Sequence, residues 1–178
     1  EFPPQASVVQ SPDLERWETS AHIKEEEFTR AVGLGLYDYV RKSHSRGFVL
    51  SLSGGADSSA IACLTRYMLE AGFAEMGPAF WSTLGFLPGD CPDVTTAMTS
   101  TMTTVYQATR NSGPVTQQAA ETLAQALGTR HYHFDVDQLC QGYIQMVGDA
   151  LGRPLEWQRD DIALQNIQAR VRAPGVWM

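Results

Sequence analysis

One stretch of the sequence, residues 48–64, constrains the fold of this chain more than any other. It reads FVLSLSGGADSSAIACL. An apolar run of β type leads into a short loop of serine and glycine. The loop then opens without a spacer into a segment whose apolar residues Ile61, Leu64 and Met68 recur at helical spacing. The sequence therefore predicts a strand, a tight turn and a helix.

The turn has the chemistry of a phosphate-binding loop. The first amides of a helix lack intrahelical partners, and the aligned peptide dipoles place partial positive charge at that end. Gly54 and Gly55 carry no Cβ, so the main chain can adopt positive φ and approach an anion closely. The hydroxyls of Ser53, Ser58 and Ser59 can donate further hydrogen bonds. An ordinary capped turn would explain one of these residues, whereas the whole set favours a polyphosphate site.

Two common loops of similar composition do not fit this stretch. A Walker A loop needs a four-residue spacer and a Gly-Lys-Ser/Thr ending, and both are absent. The nucleophile elbow of hydrolases needs Gly-x-Ser-x-Gly, which does not occur around Ser51 or Ser53. Residues 53–58, SGGADS, resemble instead the SGGxDS loop of the N-type ATP pyrophosphatases. That resemblance implies cleavage of ATP between its α and β phosphates.

Length and charge limit the classes of partner. With 178 residues the chain is long enough for one domain with a sizeable core. A net charge of −7 argues against the broad basic surface that tRNA or DNA requires, but not against a small nucleotide. Pro3, Pro4 and Pro12 lie among polar residues without an apolar period. We therefore expect residues 1–20 to be a linker or N-terminal arm and residues 21–178 to form the domain.

The cysteines and apolar runs bear on location. Cys63, Cys91 and Cys140 are odd in number and widely spaced, so they suggest neither a disulfide framework nor a metal pair. The sequence has no apolar run of the roughly eighteen residues that a membrane helix needs. It also opens without a leader of the signal-peptide type. We expect a cytoplasmic protein with no membrane partner and no nucleic-acid partner.

Apolar periodicity predicts strands that alternate with helices. The predicted strands are the run before the loop, 98–107 and 130–136, and the predicted helices start near residue 22, at Ser58 with an end at Gly72, and cover 116–127, 138–151 and 160–171. This order implies parallel strands with right-handed crossovers, hence a doubly wound α/β sheet with helices on both faces. Ligands of such sheets bind at the carboxyl ends of the strands, where residues 53–59 lie.

Two polar clusters have both a structural and a functional interpretation. Residues 25–27 are three glutamates near a helix start, and a solvated helix face is favoured over a metal site. His131 and His133 alternate with Tyr132 and Phe134, so the two histidines share one strand face. They could in principle bind a metal, but with no cysteine nearby we favour a pair on the sheet surface.

Two apolar sets are interpreted as packing. Trp81, Phe86 and Leu87 lie in a stretch rich in glycine and proline and could flank a ligand, although we favour a place in the core. The helix over 138–151 is expected to carry one apolar stripe. That stripe consists of Leu139, Tyr143, Met146 and Val147.

Further stretches resemble one branch of the superfamily, the NAD synthetases, and in particular the synthetase domain of the glutamine-dependent type. Residues 104–112, TVYQATRNS, resemble the second-strand segment of that domain. Residues 161–172, DIALQNIQARVR, resemble its Asn-x-x-Ala-Arg-x-Arg helix. The likeness runs from about residue 20 to the end of the sequence. It implies a fold of the adenine nucleotide alpha hydrolase type.

The resemblance implies a two-step reaction. The nicotinate carboxylate of deamido-NAD attacks the α-phosphorus of ATP and pyrophosphate leaves. Ammonia, supplied directly or from glutamine by a fused or separate glutaminase domain, then displaces AMP to give NAD. We expect ATP as substrate, Mg²⁺ as cofactor and a homo-oligomer. The helix N-terminus and Mg²⁺ would stabilise the phosphate charge without a protein nucleophile, so no catalytic side chain is assigned.

The resemblance also implies roles for individual residues. Asp57 is expected to ligate Mg²⁺, a hard cation that prefers oxygen ligands, with helix capping as its alternative role. Asn166 and Arg170 share a helix face and are expected to bind deamido-NAD, whose pyrophosphate a guanidinium can grip. For Arg172, a surface or partner-chain role and a ligand contact stay open. The ATP-binding residues are expected to be Ser51, Leu52, Ser53, Gly54, Gly55, Ala56, Asp57 and Ser58.

The sequence departs from the family after residue 178. The family continues with further strands, a Ser/Thr-Asn-Arg-Ser-Glu segment and lysines, so we expect a domain that is incomplete at its C-terminus. Pro174 and Gly175 also disfavour continuation of the last helix. The rival interpretations are another ATP pyrophosphatase, such as a tRNA-adenylating enzyme, and a non-catalytic nucleotide-binding domain.

Overall fold

The fold is built on a parallel sheet. A computed structural model describes residues 15–87 and 93–177. Its strands are β1 (Phe48–Ser51), β2 (Met102–Ala108) and β3 (Arg130–Asp135), in the order β1-β2-β3 with every pairing parallel. The register pairs Ser51 with Val105 and Gln107 with Phe134. The carboxyl ends of the three strands therefore lie along one edge of the sheet.

Helices cover both faces of this sheet. They are α1 (Ile23–Ser43), α2 (Ala56–Met76), α3 (Ala79–Thr83), α4 (Val94–Thr101), α5 (Pro114–Leu127), α6 (Asp137–Leu151), α7 (Trp157–Arg170) and α8 (Ala173–Trp177), preceded by a short 3₁₀ helix at Arg16–Thr19. The predicted parallel α/β sheet flanked by helices is confirmed. Within the described residues, no helix combines the length and apolar character needed to cross a membrane.

The main core lies between one face of the sheet and helices α1 to α5. Alternation along the strands turns Phe48 and Leu50 of β1, with Met102 and Tyr106 of β2, toward these helices. The side chains that are almost fully buried there include Leu52, Leu69, Phe80, Met98 and Met102. Burial of this apolar surface is the main source of stability for the fold.

The second face of the sheet is covered by the segment from α7 to α8. Val105 and Gln107 of β2 are buried on this face, with 2% and 6% of their surfaces exposed. Gly175 of α8 lies against Gln107 and Phe134, since a Cβ on Gly175 would stand 3.5 Å from the Gln107 amide nitrogen. The α7 to α8 segment therefore rests near the carboxyl end of the central strand.

A separate small core joins α6 to α7. Val136, Cys140 and Val171 are buried there, with Ile144 and Ile167 packed against them. Burial raises the pKa of the Cys140 thiol. Cys63 is exposed on α2, and neither it nor Cys140 forms a disulfide in the described structure. Cys91 lies outside the described residues.

The predicted end of α2 at Gly72 was wrong. The helix continues to Met76, and the residue that ends it is Gly77, with φ of +59°. Gly72 has a packing role instead, because a Cβ there would lie 2.2 Å from the ring of Phe80. The predicted packing of Trp81 is confirmed, since Trp81 is buried and stacks on Phe73 at 5.3 Å. Leu87, by contrast, is exposed.

The predicted strand over 98–107 was wrong in its first half. Met98 and Thr101 belong to α4, and β2 begins only at Met102. The Asp93 carboxylate caps α4 by accepting a hydrogen bond from the Thr96 amide at 2.7 Å. Because Met98 is fully buried by this helix, tertiary packing overrides the β preference of the threonine-rich sequence.

Other helix boundaries shift by a few residues. Pro114 starts α5 as a first-turn proline, two residues before the predicted start at Thr116. The predicted apolar stripe of α6 is mostly open to solvent, since Leu139, Tyr143 and Met146 are 59%, 49% and 57% exposed. The helix buries Cys140 and Gly148 instead. The helical period is as predicted, but the face of α6 that packs against α7 is a different one and contains Cys140 and Ile144.

Helix α7 begins at Trp157, three residues before the predicted start at 160. Asp160 has non-helical φ and ψ values of −122° and 24°, so the helix is kinked there. Its carboxylate accepts two hydrogen bonds from the Arg153 guanidinium, at 2.7 and 2.8 Å, and one from the Glu156 amide at 3.0 Å. These donors hold the pKa of Asp160 well below its ordinary value. Asp160 thus forms an ion pair with Arg153 that fixes the turn between α6 and α7.

This ion pair should give a pH-dependent contribution to stability. Because the folded pKa of Asp160 lies below the ordinary value of 3.8, the contribution is present above about pH 4 and is lost as the pH falls further. We expect Asp160→Asn to lower the free energy of unfolding at pH 7, with a difference from the parent that shrinks toward pH 3. Urea denaturation at several pH values measures this. The neighbouring Asp161→Asn is the matched control, and an equal effect of the two changes would contradict the assignment.

The two histidines of β3 share a face, as predicted, but they are not equivalent. His131 Nδ1 lies 2.8 Å from the hydroxyl of Thr104, and burial lowers the pKa of His131. His133 is exposed and stacks on Tyr106 at a centroid distance of 5.6 Å. The described residues contain no group of three or more histidine, cysteine or acidic side chains arranged to hold a metal ion. Each of the two histidines therefore contacts a side chain of β2.

Candidate functional site

The glycine-rich loop lies at the carboxyl end of β1, as the sequence predicts. Leu52 extends the strand, because its amide donates to the Val105 carbonyl at 2.9 Å. Gly54 has φ of +77°, and Gly55 precedes α2 as an extended residue with φ of −89° and ψ of 166°. The chain thus reverses within two residues. The turn directs the N-terminus of α2 toward the space above the sheet edge.

Gly54 is required by its neighbours as well as by its conformation. A Cβ at this position would lie 2.2 Å from the carbonyl oxygen of Thr116 and 3.0 Å from the adjoining carbon. Both atoms belong to the backbone of α5 and cannot move aside cheaply. The loop therefore packs directly against the first turn of α5, and only glycine fits there.

Serine hydroxyls hold the shape of the loop from inside. The Ser53 amide donates to Ser58 Oγ at 3.2 Å, and the two hydroxyls lie 3.1 Å apart. The Gly55 amide donates to Ser53 Oγ at 3.3 Å. The Ser58 and Ser59 hydroxyls both donate to the Gly55 carbonyl, at 3.2 and 2.7 Å. The loop is therefore held in shape by its own side chains.

The first turn of α2 leaves its amides available. The Ser59 amide is the first to bond within the helix, to the Gly55 carbonyl at 3.1 Å. The amides of Ala56, Asp57 and Ser58 precede it and have no intrahelical partner, and no other group in the described structure accepts from them. Three N–H groups at the positive end of a helix of 21 residues are the donors that an anion-binding site requires.

Asp57 lies in this first turn with an exposed side chain. The cap position is occupied by Gly55, so the alternative role of Asp57 as a helix cap was wrong. Its carboxylate makes no hydrogen bond or ion pair within residues 15–87 and 93–177. Mg²⁺ bound to a polyphosphate typically takes one or two carboxylates and completes its shell with phosphate oxygens and water. A lone, exposed carboxylate beside three free amides fits that requirement.

The structure separates the predicted loop residues into two groups. Leu52 has its side chain fully buried in the core, and the Ser51 hydroxyl donates to Gln107 Oε1 at 2.6 Å. These two residues shape the base of the loop. The remaining predicted residues surround the open end of α2, and they are Ser53, Gly54, Gly55, Ala56, Asp57 and Ser58.

Asn166 and Arg170 lie together on α7, as predicted. Both are exposed, and the Arg170 guanidinium donates to Asn166 Oδ1. In the described chain, no hydrogen bond or ion pair joins either residue directly to the loop. The connection between the two parts runs instead through Gln107, whose amide nitrogen donates to the Arg172 carbonyl at 2.7 Å.

Arg172, whose role the sequence leaves open, makes contacts within the chain. Its guanidinium donates to the Gln168 carbonyl at 2.7 Å and reaches the Gln107 carbonyl at 3.5 Å. The side chain is half-buried, so it fastens the end of α7 to β2. Its spacing from Arg170 gave no signal of this contact, because the partner is 65 residues away.

A second contact at the sheet edge was also missed. Arg110, just after β2, makes a bidentate ion pair with Asp137 at the start of α6, with distances of 2.7 to 3.0 Å. The Arg110 amide donates to the same carboxylate at 3.0 Å. These bonds lower the pKa of Asp137 and raise that of Arg110. In the sequence, the one indication of this ion pair is that Asp137 comes directly after the predicted strand over 130–136.

The fold and the candidate site together define the class of protein. A parallel sheet with a glycine-rich strand-to-helix loop at its carboxyl edge is an α/β architecture of the class whose ligands bind at that edge. The family model described as NAD synthase matches residues 28–177. The chain therefore belongs to the NAD synthase family.

Individual relatives agree with this assignment. The chain is 32% identical to the human glutamine-dependent NAD(+) synthetase over 91% of its length, which is 25% of the human protein. A crystal structure of a glutamine-dependent NAD(+) synthetase from Cytophaga hutchinsonii superposes with a TM-score of 0.83 and 44% identity, over 87% of this chain and 29% of that one. The Acinetobacter baumannii enzyme in complex with ADP has the same fold, with a TM-score of 0.61 and 18% identity over 96% of this chain and 24% of its own. The chain thus spans about a quarter of the human protein's length.

Proposed function

We propose that the protein carrying this chain converts deamido-NAD to NAD, with ATP split to AMP and pyrophosphate. The observation that carries this proposal is the loop at the end of β1. Three unpaired amides, at Ala56, Asp57 and Ser58, lie beside a free carboxylate and a glycine that admits close approach. The family assignment supports formation of NAD as the reaction. The relative from Acinetobacter baumannii, whose structure holds ADP, supports an adenine nucleotide as the ligand.

The loop would act by position and charge. Attack of the nicotinate carboxylate on the α-phosphorus expels pyrophosphate, so negative charge builds up on the β and γ phosphates. The amides of residues 56–58 are already oriented and would stabilise that charge without reorganisation. Asp57 would hold Mg²⁺, which neutralises phosphate charge and orients the leaving group. The serine network keeps the amides fixed, so the loop itself loses little conformational entropy when the nucleotide binds.

Asn166 and Arg170 would bind deamido-NAD. Arg170 carries an exposed guanidinium, and its hydrogen bond to Asn166 restricts its direction. A guanidinium matches the oxygen geometry of a pyrophosphate and can bind it with two parallel hydrogen bonds. Arg172 is already fastened to Gln168 and Gln107, so Arg170 is the arginine of this segment that is available to a substrate.

The source of nitrogen, the assembly and the compartment are part of the proposal. The human and Cytophaga hutchinsonii relatives are named as glutamine-dependent, which supports glutamine as the ammonia donor through a glutaminase domain. We infer a homo-oligomer acting in the cytoplasm. The unpaired state of Cys63 and Cys140 fits a reducing compartment.

The proposal is tested by product analysis. The protein is incubated with deamido-NAD, ATP, Mg²⁺ and either ammonium or glutamine, and NAD, AMP and pyrophosphate are quantified. We expect the three products in equal amounts, with pyrophosphate release that depends on deamido-NAD. Pyrophosphate release that depends on RNA would favour a tRNA-adenylating enzyme. Nucleotide binding without turnover would favour a non-catalytic domain, and either outcome would refute the proposal.

A further inference from the structure

Gln107 occupies an unusual position for an uncharged polar side chain. It lies near the end of the central strand β2 and is only 6% exposed. Burial of an amide is unfavourable unless both of its ends are hydrogen-bonded. Both ends of Gln107 are satisfied, and each partner belongs to a different part of the candidate site.

One end of the amide holds the base of the phosphate loop. The Ser51 hydroxyl donates to Gln107 Oε1 at 2.6 Å, across a separation of 56 residues. Ser51 is the last residue of β1 and comes two positions before Ser53, where the serine network begins. This bond fixes the Ser51 side chain at the point where β1 passes into the phosphate loop.

The other end holds the segment that follows Arg170. Gln107 Nε2 donates to the Arg172 carbonyl at 2.7 Å, and Arg172 Nε reaches back to the Gln107 carbonyl at 3.5 Å. Across the described ranges, these are the hydrogen bonds that connect the α7 to α8 segment with the sheet. Because Arg172 lies two residues after Arg170, this attachment, together with the burial of Val171 in the small core, sets where the end of α7 stands relative to the sheet edge.

We propose that Gln107 is a positioning residue that holds Arg170 and Asn166 in register with the phosphate loop, and so serves the binding of deamido-NAD beside ATP. This rests on the proposed function. Ser51 is also held by the ladder between β1 and β2, whereas the α7 to α8 segment packs on the sheet at Phe134 and is hydrogen-bonded to it through Gln107. Loss of the amide should therefore affect the deamido-NAD side more than the ATP side.

The test is Gln107→Met, which keeps an unbranched side chain of similar size. It removes both side-chain hydrogen bonds, the one with the Ser51 hydroxyl and the one with the Arg172 carbonyl. We expect the KM for deamido-NAD to rise about tenfold and the KM for ATP to change less than threefold, which corresponds to the loss of one buried hydrogen bond. Gln107→Glu keeps the acceptor for Ser51 but sets a carboxylate against the Arg172 carbonyl. It should raise the KM for deamido-NAD to a similar extent.

The matched control is Thr104→Val on the same strand. Thr104 is fully buried and its hydroxyl lies 2.8 Å from both Thr129 Oγ1 and His131 Nδ1, on the opposite face of the sheet. This change should lower the melting temperature without altering either KM. The inference would be overturned if Gln107→Met raised both KM values equally or raised neither. A purely structural role would lower the melting temperature without separating the two substrates.

A second measurement does not depend on turnover. Hydrogen exchange followed by mass spectrometry should show amides of residues 171–177 exchanging at least tenfold faster in Gln107→Met than in the parent or in Thr104→Val. Unchanged exchange in that segment would overturn the positioning role. If the parent forms no NAD although Gln107→Met accelerates exchange, the proposed reaction fails while the attachment stands.

Discussion

Asp57→Asn is expected to lower the kcat of NAD formation about a hundredfold while the protein keeps its fold. The carboxylate is exposed, lies in the first turn of α2 and has no partner in the described structure, so its loss removes no structural contact. It would remove the protein oxygen that holds Mg²⁺ against the phosphates, an interaction worth several kcal/mol in the transition state. Steady-state assays over a range of Mg²⁺ concentrations, with circular dichroism as a check of folding, measure the effect.

Glu75→Gln provides the comparison for Asp57→Asn. Glu75 is another exposed acid of the same helix, but it lies in the last turn, far from the loop. It should leave kcat and the Mg²⁺ dependence unchanged. If Asp57→Asn turned over at the parent rate when Mg²⁺ is limiting, the assignment of Asp57 as the metal ligand would be wrong.

Gly54→Ala should disrupt both the loop and the stability of the fold. The backbone has φ of +77°, which costs a residue with a Cβ about 1–3 kcal/mol, and the new methyl group would collide with the Thr116 carbonyl oxygen at 2.2 Å. We expect the free energy of unfolding to fall by about 2 kcal/mol or more and the affinity for ATP to fall at least tenfold. Urea denaturation and titration calorimetry measure the two effects separately.

Gly142→Ala is the matched glycine substitution. Gly142 lies within α6, where a Cβ meets nothing within 4 Å. Replacing a helical glycine with alanine at such a site should raise stability by about 0.5–1 kcal/mol and leave ATP affinity unchanged. Equal behaviour of the two variants would show that the conformation at Gly54 does not shape the loop.

Sequence reasoning reached the parts of the molecule that local patterns determine. The loop after β1 combines glycine conformation, helix polarity and serine chemistry within a few residues, so its place at the sheet edge could be predicted. The same holds for the parallel direction of β1, β2 and β3, which alternation with helices implies. Asn166 and Arg170 were paired correctly because a spacing of four residues places side chains on one helix face.

The remaining features depend on contacts between distant residues. The strand prediction over 98–107 was wrong because burial of Met98 stabilises α4 against the β preference of threonine. Gly72 has the composition of a helix end, but it is needed where Phe80 packs on α2. The bonds from Gln107 to Ser51 and Arg172 cross 56 and 65 residues of sequence. No local period reports such contacts.

The most direct test of the central claim is a crystal structure with Mg²⁺ and an ATP analogue that cannot be cleaved between its α and β phosphates. We predict that oxygens of the β and γ phosphates accept hydrogen bonds from the amides of Ala56, Asp57 and Ser58, with Mg²⁺ between Asp57 and the phosphates. A triphosphate bound elsewhere, with these amides facing only water, would contradict the account.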